Sequence, residues 1–450
     1  MFDGVDLVRF VFADQHGVLR GKTVTREAMR SVLDGGIGAP SSLLLKDTSG
    51  KTAFGVFGGS APDGFAGAGD VVLVPDESTF RVLPWAEKTG WVLCDLRFPS
   101  GEPVPFSPRE ILRRQLSSAA ARGYRMTVGA ELEFHVFRSS GPDGLEGTTP
   151  GMQLLREESL DGIDGLVWAL SSGLKALGLP LRTIEAEFGA SQVEITLAAS
   201  DAAVTADQVM LCRSAVRQIA RRLGYTATFM ARPAGATVSA GWHLHQSLAD
   251  VSSGEPVFAS VGGVLSGVGE SYLEGLLCHA ASAAAFAVPT VNGYKRFQSF
   301  SLAPDRIGWG VQNRGCMVRV VGSAGDPATR LENRCGEPSA NPYLYIASQL
   351  ACGLAGVADK LELRPALDSP YGPAGAGAPG GPGGPGASGG AERLPGSLGE
   401  AAAALNACDV LRGALTDEVV DWYVALKRQE FGRYLGHVSD WETGEYLGLF

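Results

Sequence analysis

The sequence predicts an α+β fold in two domains, on three observations. With 450 residues and 45% hydrophobic composition, the chain can bury a large core. Its N-terminal part is rich in strand patterns, and the remainder interleaves helical stretches with short strands that carry charged side chains. We therefore expect a small β-rich domain over residues 1–98 and an α+β domain over residues 99–450.

Strand and turn signals fill the N-terminal domain. Residues 5–24 are typical of a hairpin, with the turn at Gln15-His16-Gly17, and residues 70–76 and 91–96 supply two further strands. Residues 107–110 then have the composition of a helix start, with Ser at the N-cap, Pro at N1 and Glu at N3. The second domain begins just before this helix.

Helical patterns follow in the second domain, at residues 160–177, 207–223, 270–287 and 342–361. Residues 369–390 are dominated by Gly, Pro, Ala and Ser, which cannot bury enough apolar surface to offset the entropy of ordering. We interpret this stretch as a disordered insertion, because two more helical segments follow it, around residues 401–405 and 419–431.

Charge and cysteine usage argue against several classes of function. The net charge is −10 and no basic block is present, so duplex nucleic acid is not an expected partner. The seven cysteines are scattered without CxxC pairs, which indicates neither a disulfide framework nor a structural zinc site. Because no signal-peptide pattern or long apolar run is present, we expect a cytoplasmic protein without a membrane partner.

Charged residues at alternate positions give the strongest functional signal. In Arg330-Leu331-Glu332-Asn333-Arg334, an extended strand would place both arginines and the carboxylate on one face. Glu131-Leu132-Glu133, Gln192-Val193-Glu194 and His243-Leu244-His245 have the same spacing. Carboxylates and imidazole suit Mg²⁺ or Mn²⁺, and arginines suit a polyphosphate or a substrate carboxylate. Four strands are thus predicted to direct polar groups into one cavity for metal–nucleotide chemistry.

Together with further motifs, these segments resemble the glutamine synthetase family over essentially the whole chain, from Val8 to Phe450. The further motifs are Arg20-Gly21-Lys22, Pro75-Asp76, Leu83-Pro84-Trp85, Thr228-Phe229-Met230-Ala231-Arg232-Pro233, Asn292-Gly293-Tyr294-Lys295-Arg296, Asn313-Arg314, Arg319 and Ala340-Asn341-Pro342-Tyr343. Their order and their intervals match the family, so the resemblance is specific.

The resemblance implies a fold, a reaction and an assembly. The fold would be an N-terminal β-grasp domain and a catalytic domain with a curved antiparallel sheet flanked by helices. ATP would phosphorylate the γ-carboxylate of L-glutamate, and an amine would then attack the acyl phosphate, a reaction of nitrogen metabolism. Two to three Mg²⁺ or Mn²⁺ ions per site would assist. Family members form dodecamers of two stacked hexameric rings, so a homododecamer is expected.

The resemblance also implies roles for single residues. It assigns two sets of metal ligands: Glu133, Glu187 and Glu194 for the first ion, and Glu131, His243 and Glu332 for the second. It assigns contacts with the nucleotide and its phosphates to Arg319, Arg330, His245 and Ser247. Arg314 would act on the transferred phosphoryl group as a catalytic residue. Arg296, also counted as catalytic, would bind the amino-acid carboxylate together with Arg334.

Departures from the family pattern indicate a different amine. Glutamine synthetase proper carries a glutamate where this chain has Leu302, and that glutamate helps to take a proton from ammonium. The loop that contacts glutamate is Val238-Ser239-Ala240-Gly241 here, and Glu185 replaces a histidine. Since the metal ligands remain, we predict a γ-glutamyl-amine ligase of the polyamine or anilide type. Its apolar acceptor pocket would be formed by Leu302, Val238, Phe297 and Phe300.

Two alternatives remain open. The first is glutamine synthetase proper, with an acidic group supplied from elsewhere, such as Asp47 or Asp305. The second is a relative without catalytic activity that serves as a scaffold or a nitrogen sensor. Retention of all six predicted metal ligands argues against the second alternative.

Overall fold

Two β-sheets and the helices around them form the structure. The computed structural model describes residues 4–139, 144–233, 238–299, 301–371 and 391–450. The first sheet has six strands, β1 (Leu7–Ala13), β2 (Leu19–Thr25), β3 (Ile37–Pro40), β4 (Asp70–Pro75), β5 (Arg81–Val82) and β6 (Thr89–Arg97). The order is β2-β1-β6-β4-β3, with β5 beside β6 and with β1 and β6 parallel. The predicted hairpin is present as β1 and β2.

The second sheet has nine strands within the described ranges and supports the functional residues. They are β7 (Tyr124–Ser139), β8 (Leu145–Gly147), β9 (Leu181–Ala186), β10 (Gln192–Asp201), β11 (Tyr225–Thr228), β12 (Trp242–Asp250), β13 (Trp309–Val311), β14 (Val318–Val321) and β15 (Arg330–Asn333). The order is β13-β14-β15-β12-β7-β10-β9, and β8 and β11 also pair with β7. The sheet is curved and nearly closed, and its central pairs are antiparallel.

The described residues contain eleven α-helices. They are α1 (Arg26–Gly35), α2 (Pro108–Ala121), α3 (Asp164–Ala176), α4 (Ala202–Arg222), α5 (Gly267–Cys278), α6 (Ala280–Ala287), α7 (Pro342–Asp359), α8 (Leu398–Asn406), α9 (Asp409–Leu415), α10 (Asp417–Leu435) and α11 (Asp440–Tyr446). Short 3-10 turns lie at Ser41–Leu45, Ala66–Ala68, Glu77–Thr79, Glu157–Ile163 and Gly293–Arg296. Within the same ranges, no helix is both long enough and apolar enough to cross a membrane.

The α+β class is confirmed, but several details of the prediction are wrong. The single helix predicted over residues 270–287 is two helices that meet at His279. The two helical segments predicted near the C-terminus are present as α8 and α10, but the prediction missed α9 and α11. Ser107 precedes α2 as predicted, yet its side chain makes no capping hydrogen bond. Residues 372–390 of the predicted disordered insertion lie outside the described residues.

The central strand β7 separates the hydrophobic core from the polar face of the sheet. Leu132 and Phe134 are fully buried, and helices α2 and α4 pack against this strand. Because side chains alternate along a strand, Glu131 and Glu133 must emerge on the opposite face. The same alternation on β10, β12 and β15 brings the charged motifs to one face.

A buried arginine joins the two sheets. Arg109 at the start of α2 bonds to Asp76 after β4 at 2.6 Å and to Asp95 of β6 at 2.8 Å. The same guanidinium bonds to Asp207 of α4 at 3.1 and 2.8 Å. Only 14% of the Arg109 side chain is exposed, so these carboxylates share one desolvated cation. This arrangement sets the first sheet against the helices behind the second.

Replacing Arg109 with methionine should lower the free energy of unfolding by about 3 kcal/mol, because Asp76 and Asp207 would lose their cationic partner. Urea denaturation measures the loss. The control is Arg113→Met, because Arg113 also bonds to Asp95 but is half exposed; it should cost less than about 1 kcal/mol. Equal losses in the two variants would contradict the role given to Arg109.

Candidate active site

The polar face of the second sheet opens into a cavity of about 1070 Å³. Glutamates and a histidine from β7, β10, β12 and β15 line it: Glu131, Glu133, Glu194, His243 and Glu332. Four of the predicted arginines also line it: Arg296, Arg314, Arg319 and Arg334. The structure therefore brings the charged motifs of distant sequence segments into one site.

Strand register places like charges directly opposite one another. Glu133 of β7 faces Glu194 of β10, and Glu194 in turn faces Glu185 of β9. One row further along, Glu131 faces His243 of β12. Ionised carboxylates that face each other on neighbouring strands repel, so this row destabilises the sheet unless protons or a cation neutralise part of its charge.

Two clusters of potential metal ligands share His243. In each cluster, ligand atoms lie within 4.8 Å of one another; the clusters are Glu131, His243 and Glu332, and Glu133, Glu194 and His243. Nδ1 of His243 lies 3.1 Å from Glu131 and 3.8 Å from Glu332, and Nε2 lies 3.5 Å from Glu133. The two ring nitrogens thus face different carboxylates. Glu187 lines the same cavity but belongs to neither cluster.

The carboxylates on one side of the cavity carry more negative charge than the surrounding residues balance. Burial and the charges of Glu131, Glu133 and Glu187 raise the pKa of Glu194 to about 10. Burial and the charge of Glu133 likewise raise the pKa of Glu187 to about 7. Oxygen ligands with surplus negative charge are the donor set that Mg²⁺ and Mn²⁺ prefer, so these residues fit a divalent ion.

A glycine keeps the centre of the site open. A Cβ atom on Gly241 would lie 2.8 Å from Nη2 of Arg296, 3.3 Å from Nε2 of His243 and 3.4 Å from Oε1 of Glu133. The amide N–H of Gly241 also donates to Oε2 of Glu133 at 2.8 Å. Any larger residue would fill the space between a predicted metal ligand and a predicted substrate-binding arginine.

The arginines surround the second cluster. Glu332 is buried, and its two oxygens accept hydrogen bonds from Arg319 at 2.9 Å and from Arg334. Burial opposes ionisation, but the charge of Arg334 and of the nearby histidines lowers the pKa of Glu332. Arg296 is buried and donates to the carbonyl of Cys335, whereas Arg314 is exposed at the cavity wall.

Three predicted nucleotide contacts lie outside the lining of this cavity. Nε2 of His245 bonds to Glu131 at 2.8 Å, and its Nδ1 accepts from Nε of Arg330 at 3.2 Å. Ser247 follows two residues later on β12 and is half-buried. The hydrogen bond from His245 therefore helps to orient the Glu131 carboxylate. The nucleotide-binding roles of His245, Arg330 and Ser247 stay predictions.

The acceptor side differs in part from the prediction. Leu302 and Val238 line the cavity as expected, whereas Phe297 packs on Tyr294 and does not line it. Phe300 lies outside the described residues. Sequence reasoning missed Met152, Leu154 and Leu155, which line the cavity from the loop after β8. Nothing in their local pattern marks them, because the loop approaches the site only in the folded chain.

Two other residues of the site, Glu185 and Gln192, lie in sequence segments with charged or polar residues at alternate positions. Glu185-Ala186-Glu187 repeats the spacing of Glu131-Leu132-Glu133, and both Glu185 and Glu187 line the cavity. Gln192 donates to Oε2 of Glu133 at 2.6 Å and so fixes the orientation of that carboxylate. Glu185, which departs from the histidine of the family pattern, is thus also a carboxylate of the cavity.

Neither proposed substitute for the missing glutamate lies in the cavity of the subunit. Asp47 is buried against α10, where it accepts from Arg433 at 2.8 Å and from Gln429 at 2.9 Å. Asp305 accepts from Ser299 at 2.9 Å and is absent from the cavity lining. Both carboxylates are already engaged elsewhere.

Comparison with known proteins decides the family. The catalytic-domain model of glutamine synthetase matches residues 105–446. The chain belongs to the glutamine synthetase family. The resemblance read from the motifs is thereby confirmed. So is the predicted fold, an N-terminal β-grasp domain with a glutamine synthetase-type catalytic domain.

Several relatives within the glutamine synthetase family carry the names of amine ligases. The chain is 40% identical to γ-glutamylanilide synthase of Acinetobacter sp, over 99% of this chain and 93% of that one. It is 32% identical to glutamate–isopropylamine ligase of Pseudomonas sp, over 99% and 95%. A solved structure of GmaS without ligand superposes with a TM-score of 0.83 at 29% identity, over 99% and 97%.

Metal binding should stabilise the fold more strongly as pH rises. Without metal, the folded protein keeps protons on Glu187 and Glu194 above pH 4.5, the ordinary pKa of a glutamate, so that stability is lost as pH rises toward 7 and beyond. A bound cation replaces these protons. The rise in Tm caused by Mg²⁺ should therefore be larger at about pH 8.5 than at about pH 6.

Thermal unfolding with Mg²⁺ or with a chelator measures this effect. Glu194→Gln should weaken its pH dependence, because the group with the most strongly raised pKa is removed. Glu255→Gln changes an exposed glutamate outside the cavity and serves as the control. A Mg²⁺-induced rise in Tm that is independent of pH would contradict the assignment of Glu187 and Glu194 as metal ligands.

Proposed function

We propose that the protein is an ATP-dependent ligase that joins the γ-carboxylate of L-glutamate to an organic amine, through a γ-glutamyl phosphate. The observation that carries the proposal is the composition of one cavity. It combines carboxylates and arginines suited to phosphoryl transfer with a leucine, Leu302, where glutamine synthetase proper has its ammonium-handling glutamate.

The proposed metal ligands combine the two clusters with Glu187, which lines the same cavity and which the family resemblance adds to the first set. Glu133, Glu187 and Glu194 would hold one Mg²⁺ or Mn²⁺ ion, and Glu131, His243 and Glu332 a second. When bound, such ions neutralise phosphate charge and hold the transferred group in line. Gln192 and His245 orient Glu133 and Glu131 from behind, through the bonds at 2.6 and 2.8 Å.

The arginines divide between phosphate and amino acid. Arg319 and Arg330 would bind the phosphates of ATP, with His245 and Ser247 on the nucleotide side, and Arg314 would stabilise the transferred group. Arg296 and Arg334 would bind the carboxylate of glutamate. In support, Nε of Arg296 and Nε of Arg334 are buried without a hydrogen-bond partner among the described residues. A buried donor left unpaired is costly, and a substrate carboxylate would satisfy it.

The acceptor is an organic amine because the site has lost the group that handles ammonium. Leucine neither attracts a cation nor accepts its proton, and Asp47 and Asp305 are engaged elsewhere. Relatives named γ-glutamylanilide synthase, glutamate–isopropylamine ligase and γ-glutamylethanolamide synthetase support the same conclusion. We further propose two domains, residues 1–98 and 99–450, in a cytoplasmic homododecamer of two stacked hexameric rings, as the family resemblance implies.

The first test is phosphate release from ATP with Mg²⁺ and L-glutamate, with ammonium compared against alkyl, aryl and polyamines. Mass spectrometry of the product should identify a γ-glutamyl amide. We expect release with at least one organic amine at far higher kcat/KM than with ammonium. A higher kcat/KM with ammonium than with any organic amine would instead show that the protein is a glutamine synthetase proper. No release with any amine, together with no binding of ATP or metal, would support the scaffold alternative.

Leu302→Glu should raise kcat/KM for ammonium by about tenfold or more, because a carboxylate at the cavity wall attracts the cation and accepts its proton. Leu223→Glu places the same change on an equally exposed leucine at the end of α4 and is the matched control. If kcat/KM for ammonium were the same in both variants, Leu302 would not be the residue that excludes ammonium.

A further inference from the structure

The mouth of the cavity is lined by exposed apolar side chains, although its floor is charged. Met152, Leu154 and Leu155 are 68%, 40% and 61% exposed, and Leu302 is 48% exposed. All four line the cavity. We call these four residues the acceptor rim. Large apolar side chains left in solvent at a binding cavity are typical of a surface that a ligand covers.

Backbone strain holds two rim residues in place. Met152 has φ of 60° and Leu155 has φ of 55°, a left-handed conformation that bulky residues rarely adopt. Such strain persists only where the surrounding structure enforces it, and it concentrates at functional sites. The loop could relieve it with glycine or asparagine at these positions. Instead, it keeps two large apolar side chains there.

The strained loop is fastened on both sides of a predicted metal ligand. The amide of Met152 donates to the carbonyl of Phe188 at 2.6 Å, and the amide of Leu155 donates to Ala186 at 3.0 Å. Ala186 and Phe188 are the two chain neighbours of Glu187. The loop part of the rim therefore sits at a fixed position relative to the carboxylates of the cavity floor.

A second set of bonds continues this attachment. The amide of Ser191 donates to the side chain of Thr149 at 2.9 Å, and the amide of Thr148 donates to the side chain of Ser191 at 2.8 Å. Residues 148–155 thus follow residues 186–191 along most of their length. This loop-to-loop ladder makes the rim part of a preformed site and reduces the entropy lost when a ligand is bound.

We propose that the acceptor is a primary amine with an apolar substituent, and that the acceptor rim selects it. This inference rests on the proposed function. It adds the chemical class of the amine's substituent and names the residues that would contact that substituent. The amino group would point to the charged floor, where the acyl phosphate forms. The substituent would cover Met152, Leu155 and Leu302, and this burial would supply binding energy that ammonium cannot.

The test compares kcat/KM along the series methylamine, propylamine, benzylamine and aniline, with ethanolamine and putrescine as polar amines of similar length. We expect kcat/KM to rise by about tenfold or more from methylamine to the best apolar amine. Met152→Ala and Leu155→Ala should each lower the ratio of kcat/KM for that amine to kcat/KM for hydroxylamine by about tenfold. Leu223→Ala, at an exposed leucine outside the cavity, should leave this ratio unchanged.

The outcomes separate this inference from the proposed function. Organic amines used at equal kcat/KM whatever their substituent, or a ratio unaffected in both rim variants, would overturn the role of the rim and leave the amine ligase intact. A preference for ethanolamine or putrescine would overturn it as well. If no organic amine were a substrate, the proposed function itself would fail.

Discussion

Repulsion between carboxylates is the constraint on which the site depends. Glu133, Glu194 and Glu185 face one another across three neighbouring strands, in a row that sheet energetics disfavours. The sheet can keep this row because Leu132 and Phe134 on the other face of β7 are fully buried and this strand is packed against α2 and α4. The hydrophobic core thus stabilises a polar surface that is unstable by itself. The repulsion is in turn what makes the surface attractive to divalent cations.

Positive charge is arranged around this surface in unequal amounts. Glu332 has arginines on both oxygens, whereas burial and the charges of neighbouring glutamates raise the pKa values of Glu187 and Glu194. One side of the cavity is therefore already neutralised by guanidinium groups, and the other side is open to metal. Such a division suits chemistry in which phosphate charge moves between fixed donors, since the donors need not reorganise during the reaction.

The acceptor side follows a different principle. Where a carboxylate would serve ammonium, the chain has Leu302, and the loop after β8 adds Met152 and Leu155 in strained conformations. Once an acceptor covers them, these apolar groups would exclude water from the proposed acyl phosphate, which water would otherwise hydrolyse. Because this loop is attached on both sides of Glu187, the acceptor rim and the predicted metal ligands share one backbone support.

The sequence by itself determined the α+β class, the family and the residues of the charged floor, because period-two alternation and ordered motifs are local properties of a chain. In segments such as Glu131-Leu132-Glu133 and Arg330-Leu331-Glu332-Asn333-Arg334, the alternation of side chains within a few residues already shows which of them share one face of the strand. Only the tertiary structure decided which strands are neighbours, and hence that Glu194 faces both Glu133 and Glu185. It also removed Asp47 and Phe297 from the site and brought Met152 and Leu155 into it. Those outcomes depend on contacts between segments far apart in the chain, which no local pattern records.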